Sequence, residues 1–211
     1  MRTNNPLYAF NHCIEIAESI NEKCLRKVAL DVLNENKEIY LRVKGSDFQH
    51  HNYRGGLIVH TYHVTENAIR IAEYYSDKVS IDLVKFGALM HDVGKLFDYQ
   101  NDVKFENHND ITINQALLGH GVEGVTYISN KLRCEYASGL YDVTDDYINT
   151  VITQCSHCIL AHMSEEKQQM LEVKIIGAVD LVDAYIDQTI LESGKDSFII
   201  GTGETFYKAI V

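Results

Sequence analysis

Tryptophan is absent from this 211-residue sequence, and proline occurs once, at Pro6. A chain with so little proline has no proline-rich linker and few obligatory helix breaks. No apolar run is long enough to span a membrane, so no membrane partner is expected. Met1-Arg2-Thr3-Asn4-Asn5-Pro6 lacks the apolar segment of a signal peptide. Cysteine is scarce, and its count of 5 is odd, which fits a reducing cytoplasm better than a disulfide framework. Positive charge is also in short supply: 19 Lys and Arg against 30 Asp and Glu leave a net charge of -11. That balance argues against an extended nucleic-acid platform. A small anionic substrate remains compatible, because bound divalent cations reverse the local field of an acidic site. No internal repeat or low-complexity stretch is present. With 45% hydrophobic residues, the length suits one domain over 1–211.

Histidine, by contrast, is abundant, with 10 residues. The stretch Phe86-Gly87-Ala88-Leu89-Met90-His91-Asp92-Val93-Gly94-Lys95 delivers a His and an Asp at the end of an apolar helix, which Gly94 then breaks. Val84 and Ala88 share a face with His91, and Ala88 precedes Asp92 by one turn, so both polar residues border a core-facing stripe. Burial there costs several kcal/mol unless they pair or coordinate a metal. A buried His-Asp hydrogen bond is the alternative reading of this dipeptide alone.

Helical periodicity accounts for most of the chain. Residues 7–20 carry Leu7, Phe10, Ile14, Ala17 and Ile20 at helical spacing. A second helix is expected over 22–41, with Val28, Val32, Leu33 and Ile39 inward and Gly45-Ser46 ending it. The polar loop Phe48-Gln49-His50-His51-Asn52-Tyr53-Arg54-Gly55-Gly56 is of the kind that carries function. The helix over 57–75 has a core stripe of Val64, Ala68, Ile71 and Tyr75. Extended back one turn, that stripe reaches His60; His63 lies on an adjacent face and is the weaker candidate. The helix over 81–91 ends in the His-Asp pair. Leu96 to Thr112, with Asp98, Asp102, Glu106 and Asp110, reads as a long functional loop or lid. A helix over 114–133 holds His120 among Gly119, Gly121 and Gly124, glycines that permit close approach of backbone or ligand. In the helix over 145–162, Ile148, Val151, Ile152, Cys155 and Ile159 lead to His162. His157 lies about 140° away around the helix, on a polar face. Cys155 and Cys158 lack the second pair of a zinc ribbon and read as small core residues. The helix over 172–192 aligns Ile176, Asp180 and Asp183. The tail from Ser197 is a short strand or an extended arm.

His60, His91-Asp92, His120, His162 and Asp180 therefore converge from separate helices. His60, His91, Asp92 and Asp180 suffice for one ion. His120 and His162 add enough for a second, with Asp92 able to bridge. Imidazole and carboxylate donors suit Mn, Fe, Co, Ni or Mg.

With His50-His51-Asn52-Tyr53-Arg54-Gly55-Gly56-Leu57-Ile58-Val59-His60-Thr61, Ala88-Leu89-Met90-His91-Asp92-Val93-Gly94-Lys95, Leu117-Leu118-Gly119-His120, Ile159-Leu160-Ala161-His162 and Asp180-Leu181-Val182-Asp183-Ala184, the chain resembles the HD-domain metal-dependent phosphohydrolase superfamily, whose ligand pattern is H…HD…D. Within it the resemblance is strongest to the catalytic domain of YhaM-type bacterial 3′→5′ exoribonucleases, over roughly residues 48–187. Two departures stand out. The chain has no room for their N-terminal OB-type RNA-binding domain, and His162-Met163-Ser164 replaces a His-His-Gly. The Gly-Gly-Leu-x-x-His-Thr pattern is also similar to the HD region of conjugative relaxases.

The resemblance implies an all-α helical bundle with a metal-binding core at about 48–192. It also implies hydrolysis of a phosphate ester or phosphodiester of a nucleotide or short oligonucleotide by one or two divalent ions. Asp92 and Lys95 are the expected catalytic residues. His51, Arg54 and Lys95 are the expected substrate contacts, and Asp183 is expected to orient a metal-bound histidine. A di-iron oxygenase could use the same ligands, and a nucleotide-binding module without catalysis is a third reading.

Overall fold

Short polar side chains mark the helix starts. Asn5, Ser80, Thr112 and Thr144 each accept a hydrogen bond from a backbone N–H of the turn they begin, a cap worth about 1 kcal/mol apiece. Pro6 follows Asn5 as the first helical residue, where its missing N–H costs nothing. The computed structural model describes residues 3–46, 50–98, 112–164 and 167–191 and two short strands, without the side chains of 189–191 or of the strands.

The helices are α1 (Pro6–Glu18), α2 (Lys23–Glu35), α3 (Lys37–Tyr40), α4 (Gly56–Tyr74), α5 (Ile81–Met90), α6 (Ile113–Tyr136), α7 (Asp145–Ala161) and α8 (Leu171–Leu191), with a 3₁₀ helix at Val93–Phe97 after α5. The fold is an all-α bundle. The tail forms a pair of antiparallel strands, β1 (Ser197–Ile199) and β2 (Thr205–Tyr207), with Phe198 opposite Phe206. Helix α4 lies at the centre, packed on α1, α5 and α8; α6 packs on α7 and on the 3₁₀ helix. Leu57, Ile58, Phe86, Leu89, Ile128, Ile159 and Ile176 are fully buried between them, each contributing about 1.5–3 kcal/mol of apolar transfer. No helix among the described residues is long and apolar enough to cross a membrane.

Several expected positions are corrected. The helix expected over 22–41 divides at Asn36, whose backbone leaves helical geometry and whose amide donates back to the Val32 carbonyl. The division resets the helical phase, so Tyr40 is buried while Ile39 is exposed. Helix α4 outruns the core, leaving Ile71 and Tyr75 exposed and Ala72 inside. Leu7 is exposed at the open start of α1. Leu96 and Phe97 belong to the 3₁₀ helix rather than to a loop. Thr112 ties back to that helix, its N–H donating to Asp98 O at 2.8 Å and its hydroxyl to Phe97 O at 3.1 Å. The rest of the expected lid, with Asp102, Glu106 and Asp110, lies outside the described residues, as do Phe48 and Gln49 of the polar loop.

Two glycines let backbone approach a histidine of the site. A Cβ on Gly94 would stand 1.8 Å from the His120 carbonyl oxygen, and one on Gly56 would stand 1.9 Å from that of His51. Either contact is incompatible with any side chain, so the 3₁₀ helix can cross α6, and α4 can start against the polar loop, only through glycine.

Candidate metal centre

One local solution is used twice. His91 caps the C-terminus of α5 and His162 that of α7. Each ring Nδ1 lies on the carbonyl three residues back: Ala88 O at 2.7 Å for His91 and Ile159 O at 2.8 Å for His162. Carbonyls of the last helical turn have no intrahelical partner. An Nδ1–H that donates to one of them also selects the tautomer, leaving Nε2 as the free acceptor. Asp92 then leaves the helix, with φ −108° and ψ 14°, and turns its carboxylate to the same side. His60 enters from the second turn of α4, His120 follows a kink at Gly119 (φ 74°, ψ 159°) in α6, and Asp180 comes from α8.

Asp92 divides what surrounds it. Its Oδ2 lies 3.6 Å from His60 Nε2 and 3.5 Å from His91 Nε2. Its Oδ1 lies 3.5 Å from His120 Nε2 and 3.8 Å from His162 Nε2. Asp180 closes the gap between the pairs, with Oδ1 3.0 Å from His60 Nε2 and Oδ2 4.0 Å from His162 Nε2. His60, His91 and Asp92 are buried; His120 and Asp180, with side chains 18% and 19% exposed, open the cluster to solvent.

So much buried charge requires compensation. Burial opposes ionisation of Asp92, but the Lys95 ammonium, with the charged ring of His60 nearby, holds its carboxyl well below the usual range. Lys95 Nζ donates to Asp92 Oδ2 at 2.7 Å and to Gly45 O at 2.8 Å. Burial would lower the pKa of His60, yet its hydrogen bonds to Asp180 and Asp183 raise it to about 10. In the metal-free protein His60 is therefore an imidazolium between two carboxylates. His91, His120 and His162 are pushed the other way, mainly by burial, and are neutral. Neutral imidazoles and ionised carboxylates are the forms that bind metals.

The remaining predicted residues fall in different places. Asp183 lies behind His60, its Oδ2 2.9 Å from His60 Nδ1. Lys95 joins the cluster instead of ending a helix in solvent. His51 turns inward: its side chain is fully buried, with Nε2 2.8 Å from Asp183 Oδ2 and Nδ1 3.0 Å from the Tyr53 hydroxyl. Both ring nitrogens are thus satisfied by protein, which removes the basis for His51 as a substrate contact. Arg54 is exposed on the same loop. His157 is outside the cluster, its Nε2 accepting from the Gln169 N–H at 3.2 Å. Cys155 and Cys158 are free and buried, as core residues are, and burial raises both thiols.

Sequence reasoning gave no role to His50 or Asp187 and ranked His63 below His60. The His50 ring lies 5.2 Å from that of His60, and burial lowers its pKa to about 4. His63 Nδ1 stands 3.3 Å from Asp183 Oδ1, and Asp187 Oδ2 accepts from the His51 N–H at 2.6 Å. The available signals were the absence of any charged residue over Gly56–Thr65, all of it buried, and the spacing of Asp183 and Asp187 one turn apart on α8.

The donors fit a divalent ion. His60, His91 and Asp180 form one group and His91, Asp92 and His162 another, each with its ligand atoms within 4.8 Å of one another. Nitrogen and carboxylate oxygen without thiolate is the donor set of Mn, Fe, Co or Ni sites.

A family model described as HD domain matches residues 57–185. A Methanocaldococcus jannaschii protein named dihydroneopterin 2′,3′-cyclic phosphate phosphodiesterase is 30% identical over 121 residues, covering 50% of this chain and 49% of that protein. The match thus spans about half the length of that relative. No solved structure matches the chain.

Proposed function

The chain belongs to the HD-domain family, and on that premise we propose that it is a metal-dependent phosphodiesterase acting on a small nucleotide-like substrate. HD domains bind divalent metals. The observation that carries the proposal is the division of Asp92, with one oxygen toward His60 and His91 and the other toward His120 and His162. In this reading His60, His91, Asp92 and Asp180 hold one ion. His120 and His162, with Asp92, would hold a second. Ions bound there would polarise a phosphoryl group and acidify a water.

The chain's own residues supply the rest. Lys95, already fixed beside Asp92, puts an ammonium where negative charge accumulates on a phosphoryl oxygen. Arg54, exposed on the loop before α4, reaches a phosphate from outside. His50 is neutral near pH 7 and offers a hydrogen bond beside His60. The named substrate of the M. jannaschii relative makes 2′,3′-cyclic phosphates the first class to test. The net charge of -11 favours small substrates over long RNA, which binds through many phosphate contacts. All five cysteines are free, which supports a reducing, cytoplasmic setting.

The test is a hydrolysis screen of protein reconstituted with Mn, Fe, Co, Ni or Mg. Substrates are 2′,3′-cyclic nucleotides, cyclic dinucleotides, linear dinucleotides, nucleoside monophosphates and short RNA. Turnover of a small phosphodiester, abolished by chelation, is the expected result. Oxygen consumption without hydrolysis of any phosphodiester would contradict it.

A further inference from the structure

One carboxylate behind the metal cluster gathers the imidazoles of three residues. Asp183 Oδ2 lies 2.8 Å from His51 Nε2 and 2.9 Å from His60 Nδ1, and its Oδ1 lies 3.3 Å from His63 Nδ1. Tautomers follow from the other ring atoms. His63 Nε2 accepts from the Thr3 N–H at 3.2 Å, so its proton is on Nδ1, toward Asp183. His51 and His60 face an ionised carboxylate, which only accepts, so each donates to it. Asp187, one turn further along α8, accepts from the His51 backbone N–H at 2.6 Å. That bond holds a residue whose φ of 51° lies in the left-handed region, a conformation a histidine adopts only against a cost of about 1–2 kcal/mol. Asp183 and Asp187 together thus clamp His51 by ring and by backbone, and His51 in turn fixes the Asp183 carboxylate on His60.

Among the described residues, His91 and His162 have no such support. His91 and His162 donate to backbone carbonyls, and a neutral carbonyl raises imidazole basicity less than a carboxylate does. We infer that Asp183 is a positioning residue, locked by His51 and Asp187, that makes the His60 half of the cluster the tight divalent-metal position and leaves the His120 half the loose, exchangeable one. The inference rests on the proposed two-ion site. It concerns affinity, so it stands or falls separately from the identity of the substrate.

The experiment is a Mn²⁺ titration of metal-free full-length protein, reading free Mn²⁺ by its electron paramagnetic resonance signal. Wild type is expected to show a tight and a weak class of sites. Asp183→Asn, which keeps the shape and loses the charge, should weaken the tight class about 10–100-fold and affect the weak class less, because His120 and His162 face Asp92 rather than Asp183. His120→Ala should remove the weak class alone. Should Asp183→Asn yield no folded protein, His51→Gln decides: a several-fold weakening of the tight class is expected. Unchanged tight affinity in the folded variant, or equal affinities for both classes in wild type, would overturn the inference. Failure to hydrolyse any substrate, with the two classes intact, would overturn only the catalytic proposal.

Discussion

The two halves of the histidine cluster are built differently. On the α4–α8 side, His60 is sealed from solvent and backed by a carboxylate that other histidines hold in place. On the α6–α7 side, His120 follows a left-handed glycine and is partly open, and His162 rests on a carbonyl of its own helix. One Asp spans both. The difference teaches that rigidity in such a site is set behind the ligands: the first half is preorganised by buried charge, the second by helix ends alone. A site of this kind can hold one ion firmly while the other exchanges.

The largest effect expected from breaking this comparison lies on the open half. His162→Ala should lower kcat on the order of a hundredfold or more, beyond the effect typical of a residue that only supports a ligand. His157→Ala, on the same helix but outside the cluster, should change it by less than about threefold. Steady-state kinetics on the best substrate from the screen checks both, and comparable losses would mean the α7 phase is misjudged. Lys95→Met keeps the length of the side chain and removes its charge. It should cost about a hundredfold in kcat, as loss of a transition-state donor does, with metal content unchanged. Loss confined to KM would instead make Lys95 a binding residue.

The pH dependence sharpens the contrast further. In the metal-free protein the His60 pKa is raised from 6.5 to about 10. Its stabilising contribution is therefore full below about pH 6.5 and is lost as pH rises through about 10. Asp183 is displaced in the opposite sense: burial opposes its charge, but hydrogen bonds from His51 and His60, with the His63 ring close by, hold it well below the usual carboxylate range. Its contribution is present above the usual carboxylate value and is lost on acidification. A metal must displace the His60 Nε2 proton, so affinity at the tight position should rise between pH 6 and 9, by up to about tenfold per unit. The loose position, with neutral His120 and His162, should be nearly flat over that range. Mn²⁺ titrations at several pH values measure both slopes; parallel slopes would remove the distinction. The smallest effect is expected at Cys158, which packs beside Gly87 in the core. Cys158→Ala should leave metal content unchanged and cost about 1 kcal/mol of stability in a urea melt.

How much of this was legible in the sequence varied with burial. On α7, one face is wet and one dry, so helical phase separated His162 from His157. On α5, the apolar run into His91-Asp92 and the break at Gly94 marked the end of the helix that turns the dyad inward. The first turns of α4 defeated the same reasoning. Gly56 to Thr65 are buried on every side, and periodicity carries no information where no face is wet. His63 therefore looked secondary, although it faces Asp183. His51 was misjudged for a different reason. Glycine-containing loops usually lie on the surface, but this one folds over a histidine, with Gly45 and Gly56 against it. Ile71 followed an apolar stripe past the point where the core ended, a limit set by neighbouring helices, whereas Ile39 was misplaced by the break at Asn36.

Metal stoichiometry of Asp92→Ala tests the central claim most directly. Asp92 is the residue whose two oxygens face separate histidine pairs. Equilibrium dialysis against saturating Mn²⁺ should find about two divalent ions per wild-type chain and less than one in the variant, with phosphodiester hydrolysis lost in parallel. A folded Asp92→Ala protein that keeps the wild-type metal content and rate would contradict the account.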